Sequence, residues 1–172
     1  MEKPARERGD AAGRKPHPLV VNGYNLLVWP AFAERWRALK TEVEWLRKRD
    51  PDGYRGAPAA KLLAAVRDAT LRDIPGDPGA ARYRQGNTLG PDHRHWRRDK
   101  FFQRFRLFFR YSTDAASIAY VWLNDESTLR KSGAKTDAYA VFRTMLERGR
   151  PPTDWNDLMR ECREWTDREV GD

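Results

Sequence analysis

The residues of this chain best suited to do chemistry are its arginines and lysines, and one stretch gathers them. Between Arg82 and Tyr111 stand nine Lys/Arg against two Asp/Glu, a local charge of +7 in a 172-residue chain whose formal net charge is +8. From Arg104 to Tyr111 the residue types alternate, which puts Arg104, Arg106, Phe108 and Arg110 on one face of a strand and Phe105, Leu107, Phe109 and Tyr111 on the other. Trp96, Arg98, Lys100 and Phe102 alternate in the same way. A three-residue connection at Phe102 to Arg104 then sets Lys100 opposite Arg106 and Arg98 opposite Phe108, while Arg97, Asp99 and Phe101 point to the far side. The expected product is a hairpin with one open cationic face. Like charges directly opposite one another destabilise a sheet, so a polyanion is the expected occupant; the competing reading is a merely solvated charge run. Arg98 and Arg106, permanently charged planar forks, are the candidate phosphate clamps, and Lys100 between them is the candidate general base. Arg84, Arg94, Arg104 and Arg110, with Arg97 on the far side of the hairpin, are candidate nucleic-acid contacts. Asp99, on the far side, needs a basic partner such as Arg97 if it is buried.

Other chemistry is sparse. His93 and His95 in PDHRHW could form an acid/base pair, but they fall in an expected loop where histidines are usually solvated. Three His and one Cys at unrelated spacings make no recognisable metal site, no glycine-rich phosphate cradle is present, and no cofactor is expected. Cys162 lies in a helical pattern and is expected to pack rather than react. A pI near 9.9 with 34% charged residues points to nucleic acid or an acidic protein as partner. No apolar run is long enough for a membrane span, and Met1 to Pro18 lacks the apolar stretch of a signal peptide, so a soluble, cytoplasmic protein is expected.

The elements that must position the hairpin follow from periodicity. Residues 1–18 carry no hydrophobic pattern and read as a disordered basic tail; residues 19–172 read as one domain with no repeats. Leu19 to Trp29 reads as a first strand with a kink at Asn22-Gly23, ended by Pro30. Phe32, Trp36, Leu39, Val43 and Leu46 form a helical stripe, and Leu62, Leu63, Val66 and Ala69 form another beyond a Pro/Gly turn. Ile74 to Ala80 breaks that helix. Ser117 to Leu123, apolar on both faces, reads as a strand in the middle of the sheet. Asn124 to Lys135 is a polar loop. Thr136 or Asp137 caps a helix bearing Val141, Phe142, Met145 and Leu146; Thr153 or Asp154 caps a last one with Trp155, Leu158, Met159, Cys162 and Trp165 on one stripe. The class is α+β, with helices on one sheet face and the other face open.

Several stretches, VNGYNL, KLLAAV, RLFFRYS, WLNDESTLRKSGAKTDAY and RGRPPTDW, resemble the YhaV family of type II toxins within the RelE/ParE superfamily. The likeness runs from about Val21 to Trp155, although the turn from Lys100 to Arg104 lacks the glycines expected there. It implies a RelE-like antiparallel sheet carrying a helical hairpin on one face and C-terminal helices. It also implies an endoribonuclease that blocks translation by cutting mRNA, in solution or on the ribosome; with no metal-ligand cluster in the sequence, that activity is expected to be metal-independent. The implied partner is a PrlF-type antitoxin, and operator DNA would be met only through the antitoxin complex. On the matching stretch the resemblance adds Arg130, Lys135 and Tyr139 to the catalytic set, the cations on phosphates and Tyr139 stacking a base or supplying a proton. RNA can be cut in this way when its own 2′-hydroxyl attacks the adjacent phosphate while cations hold the added charge. Two other classes stay open: a basic module that binds nucleic acid or the ribosome without cleaving, and a ParE-like gyrase poison.

Overall fold

The structure, a computed structural model, describes residues 13–171. Of the disordered tail expected at residues 1–18, residues 1–12 lie outside the described residues. Residues 14–18 are docked: His17 N–H donates to the Asp167 carboxylate at 2.9 Å, Asp167 N–H returns to His17 O at 3.0 Å, and Pro18 bridges Thr166.

Strands β1 (Val20–Val21) and β2 (Tyr24–Val28) are a hairpin rather than one kinked strand. Asn22 and Gly23 both have positive φ, 49° and 81°, the backbone that a two-residue turn between right-twisted strands demands. Helix α1 (Pro30–Arg49) starts on a proline, buries Phe32, Trp36 and Leu39, and ends on Arg47, Lys48 and Arg49, which complement its C-terminal dipole. Helix α2 (Pro58–Asp68) runs back beside it and does not stop at the expected break. It widens into a π-turn over Ala69–Asp73 and continues as α3 (Ile74–Gly76). Pro75 has no N–H for the preceding turn, and the Thr70 carbonyl is taken by the Tyr120 hydroxyl at 2.6 Å, so the ladder re-registers instead of ending.

Strands β3 (Arg97–Phe101), β4 (Phe105–Ser112) and β5 (Ser117–Leu123) follow as an antiparallel meander, and the sheet order is β1-β2-β5-β4-β3 with β2 and β5 parallel. β5 sits in the middle, as its two apolar faces require. The β3–β4 register places Lys100 opposite Arg106 and Arg98 opposite Phe108. Its turn takes positive φ at Phe102 and Gln103, 45° and 67°, where glycine would be the unstrained choice.

The C-terminal part is α4 (Ala138–Glu147), α5 (Trp155–Glu161), β6 (Arg163–Glu164) and α6 (Asp167–Val170). Trp165 is not on the α5 stripe. The chain turns extended at Cys162, and β6 pairs with Leu27 and Val28, covering part of the edge of β2. Trp165 then enters the opposite core, with its ring centroid 5.1 Å from Trp36, 5.5 Å from Phe32 and 5.8 Å from Tyr120.

Both faces of the sheet are covered, which corrects the expectation of an open face. On one side α1 and α2 pack on Leu26, Val28, Leu107, Phe109, Ile118 and Tyr120. On the other, α4 and α5 cover Phe108, Ala119 and Val121 together with Trp29, Leu89 and Trp96. A bulge in the β4–β5 pairing between Phe108 and Phe109 turns Val121 and the neighbouring Trp122 to this second side, so consecutive residues feed one core. Phe108, set among arginines, stacks on Phe142 of α4 at 4.2 Å and 15°. An apolar ring on the cationic face needs such a cover.

Candidate active site

Hairpin β3–β4 sets Arg98 and Arg106 on the α4 side, and α4 brings Tyr139 to both. Arg98 Nε donates to the Tyr139 hydroxyl oxygen at 2.9 Å, and Arg106 Nε donates to the same oxygen at 3.1 Å. Nη1 of each guanidinium is tied to backbone: Arg98 to the Arg82 carbonyl at 2.8 Å, Arg106 to the carbonyls of Gln103 and Phe105 at 2.9 Å each. Arg98, Arg106 and Tyr139 are 9%, 7% and 5% exposed. Neither Nη2 has a protein partner among the described residues, and neither is closed off from solvent. Each fork is thus locked by its other arms and offers its Nη2 amino group. The arginines are pre-oriented rather than solvated, which corrects the expectation that they stand exposed.

Tyr139 serves the core and the site at once. Its ring meets Phe108 edge-on at 5.6 Å, while the Arg130 guanidinium carbon lies 4.8 Å from the ring centroid. Two residues that sequence reasoning did not single out for the site hold it there. Asp137, buried, accepts from Tyr139 N–H at 3.1 Å, capping α4, and from Lys131 N–H and Arg130 Nη1 at 2.7 Å each. Asn124, fully buried, accepts from Arg106 N–H at 2.7 Å and donates to the carbonyls of Arg104 at 3.0 Å and Thr128 at 2.8 Å. It fixes the backbone from which Arg106 projects. The signal for Asn124 was available: an amide directly after a wholly apolar strand must satisfy its hydrogen bonds inside the protein.

Tyr139, Arg130 and Asp137 line an open cleft of about 560 Å³, with Lys135, Arg143 and Thr88 on its walls. Lys135 is exposed at its rim, and Lys100 is exposed across the ladder from Arg106. Arg98 and Arg106 meet at the Tyr139 hydroxyl and Arg130 lies over its ring, while Asp137, the carboxylate in the cleft wall beside them, is already paired with Arg130. Confining like charges in this way costs energy that a bound polyanion would offset.

The outer arginines are placed differently. Arg84, Arg94 and Arg104 are exposed, and Arg94 Nε donates to Asn87 Oδ1 at 2.6 Å. Arg97 is half-buried and donates to the Arg94 carbonyl at 3.2 Å. Arg110 is held away from the cleft, with its guanidinium carbon 5.3 Å from the Trp96 ring and 5.6 Å from that of Trp155, and Nη1 on the Thr153 carbonyl at 2.8 Å. Burial there pushes the Arg110 pKa down to about 10, so it remains a cation at neutral pH. Asp99, whose pKa burial raises, is partnered by the Lys100 N–H at 2.9 Å and not by Arg97. His93 and His95 lie 6.4 Å apart, ring to ring, in the loop before β3. Burial, then Arg110, His93 and Arg97, push the His95 imidazole down to about 4. Burial pushes the Cys162 thiol up to about 12, which leaves it protonated and unreactive. Among the described residues no three His, Cys, Asp or Glu side chains come together as a metal site, and no helix is long and apolar enough to cross a membrane.

Comparison with known proteins points the same way as this geometry. No solved structure matches the chain. A ribonuclease toxin YhaV from Escherichia coli K12 is 46% identical over 149 residues, covering 86% of this chain and 97% of the relative. A toxin YhaV from Escherichia coli O157:H7 matches to the same extent. Residues 26–163 match the model of a family described as toxins with endonuclease activity, of toxin-antitoxin systems, a span that holds Arg98, Arg106 and Tyr139. The chain belongs to the YhaV toxin family, the endonuclease half of a toxin-antitoxin pair.

Proposed function

We propose that this chain is a metal-independent endoribonuclease whose catalytic unit is Arg98, Arg106 and Tyr139, with Lys100, Arg130 and Lys135 around it. The observation that carries the reading is the sharing of one phenolic oxygen by two buried, backbone-anchored guanidinium groups, each with its Nη2 amino group left over. Those two amino groups hold a phosphodiester and the charge that grows on it as the adjacent 2′-hydroxyl oxygen attacks phosphorus. Lys100, reacting as the neutral amine, takes the hydroxyl proton and becomes the ammonium; the P–O5′ bond breaks, leaving a 2′,3′-cyclic phosphate, and Tyr139 protonates the departing 5′ oxygen. Lys135 and Arg130 hold neighbouring phosphates, and exposed Arg84, Arg94 and Arg104 draw the strand in. Arg97 and Arg110 complete the cationic surface at its edge.

Purified toxin incubated with end-labelled RNA in excess EDTA tests this: fragments ending in 2′,3′-cyclic phosphate are expected. RNA retained without cleavage would make the chain a binding module, and inhibition of gyrase supercoiling without RNA loss would make it a ParE-like poison. The antitoxin, of PrlF type by the same resemblance, silences the site by laying an acidic segment over Arg98, Arg104 and Arg106. Association of the pair therefore slows as salt rises. Whether mRNA is cut on the ribosome follows from comparing naked and translated message.

A further inference from the structure

A second groove of about 490 Å³ lies beside the catalytic cleft on helix α4 and shares Lys135 and Thr144 with it. Its floor is apolar: Trp29, Ala31, Val141 and Met145. Its rim carries Lys135, Arg148 and Arg150, all exposed, none with a carboxylate or hydrogen-bond partner for its side chain among the described residues. No Asp or Glu lines it. By contrast, the other cations facing the first cleft from α4 and the loop before it are already neutralised, Arg143 by Glu147 at 3.1 Å and Arg130 by Asp137 at 2.7 Å. The indole N–H of Trp29 has no partner and is closed to solvent, so the small part of Trp29 that reaches this groove is apolar and not a donor.

An apolar floor under an unpaired cationic rim suits a ligand with a flat apolar body and an anionic backbone, which is what a single-stranded nucleotide presents. A purely apolar ligand would leave the rim unused, and a free phosphate would leave the floor. Because the groove shares Lys135 and Thr144 with the cleft that Tyr139 lines, the occupant can be the same strand that is cut. We infer that this groove is a subsite for a nucleotide flanking the scissile phosphate, its base on the floor and its phosphates on Arg148 and Arg150. From Tyr139 to Arg148 is roughly 13 Å along α4 at the usual helical rise, so only a strand several nucleotides long fills both places. The inference rests on the endoribonuclease reading and assigns to that site a reach along the substrate.

The test compares two RNAs, a dinucleotide holding only the scissile phosphate and an oligoribonucleotide long enough to cross α4. In the parent protein the longer RNA has the higher kcat/KM. In the double variant Arg148→Glu, Arg150→Glu the KM for the long RNA rises by about tenfold or more, kcat changes less than twofold, and the advantage of long over short disappears, as loss of two phosphate contacts predicts. The pair Arg148→Lys, Arg150→Lys keeps most of the advantage. Thermal unfolding of each variant at the parental temperature confirms the fold, which two exposed side chains should not disturb. An unchanged KM for the long RNA in the Glu variant overturns the subsite, and an equal parental kcat/KM for the two RNAs does the same. Failure of the catalytic reading looks different, since neither RNA would then be cut by the parent.

Discussion

The two faces of the sheet are packed from similar residues and used for different ends. The face under α1 and α2 is an ordinary core: Phe109, Leu107, Tyr120, Trp36 and Trp165 meet with no fully buried charged side chain among them, Asp99 beside Leu107 being only half-buried. The face under α4 begins in the same way, with Phe108 stacked on Phe142, but one step along β4 the packing gives way to Arg106 and, on β3, Arg98, both closed over by Tyr139. Nothing in apolar packing favours two buried guanidinium groups on one neutral oxygen. Such an arrangement costs stability, and stable sites that keep it do so for a ligand. The comparison teaches where to cut the molecule to separate folding from function.

Substitutions should separate the two faces cleanly. The largest loss of stability is expected from Phe109→Ala in the α1 core, about 3–5 kcal/mol of unfolding free energy by urea titration, with RNA cleavage per folded molecule kept. On the other face Arg98→Ala or Arg106→Ala should slow cleavage by about a hundred- to a thousandfold. Each should also lower stability by about 1–3 kcal/mol, because the Tyr139 hydroxyl left behind is buried. Arg97→Ala, whose side chain does not reach Tyr139, should cost less than tenfold in rate. A Phe109→Ala protein that is folded but inactive would blur the boundary between the faces.

Asn124→Ala sharpens it, since this residue is fully buried and holds the backbone N–H of Arg106. Three backbone groups lose a partner, so about 1–3 kcal/mol of stability should go, and kcat should fall more than KM rises. A parental kcat would show that Arg106 holds its place without it. The smallest effect concerns His95 at the margin of the α4 face. Its imidazole sits at about 4 in the folded chain against an ordinary value of 6.5, so between those pH values the unfolded chain takes up a proton that the folded chain refuses. Stability should therefore fall as pH drops through that window, and His95→Gln should flatten the fall. Identical acid limbs for the two proteins would contradict it.

Much of this was legible in the chain. The β3–β4 register could be read because a pleat has a period of two and arginine and phenylalanine alternate through it; β5 could be placed centrally because both its faces are apolar. What covers the arginines could not be read from their own strand. The α4 stripe of Tyr139, Phe142 and Leu146 states that one helix face is buried but not against which side of the sheet. Phe108 was the available hint, an apolar ring in a row of cations. Asn22-Gly23 carried a hairpin signal that a strand with a kink does not satisfy. Trp165 misled by spacing: it falls three residues after Cys162 as a helical stripe would have it, yet the chain has already left the helix to pair with β2. Asp137 could be read as a cap of α4 and Asn124 as an amide needing partners, but that one holds Arg130 and the other the Arg106 backbone depends on groups brought near by folding.

The central claim is that the Tyr139 hydroxyl, and not its ring alone, joins the two arginines into a catalytic unit. Tyr139→Phe keeps the ring on Phe108 and removes only the oxygen that both Nε groups share. The direct measurement is the single-turnover rate of RNA cleavage by purified Tyr139→Phe protein, with circular dichroism confirming the fold. The account predicts a fall of about a hundredfold or more, in line with loss of a positioned proton donor. A folded Tyr139→Phe protein that cuts RNA at the parental rate would contradict it.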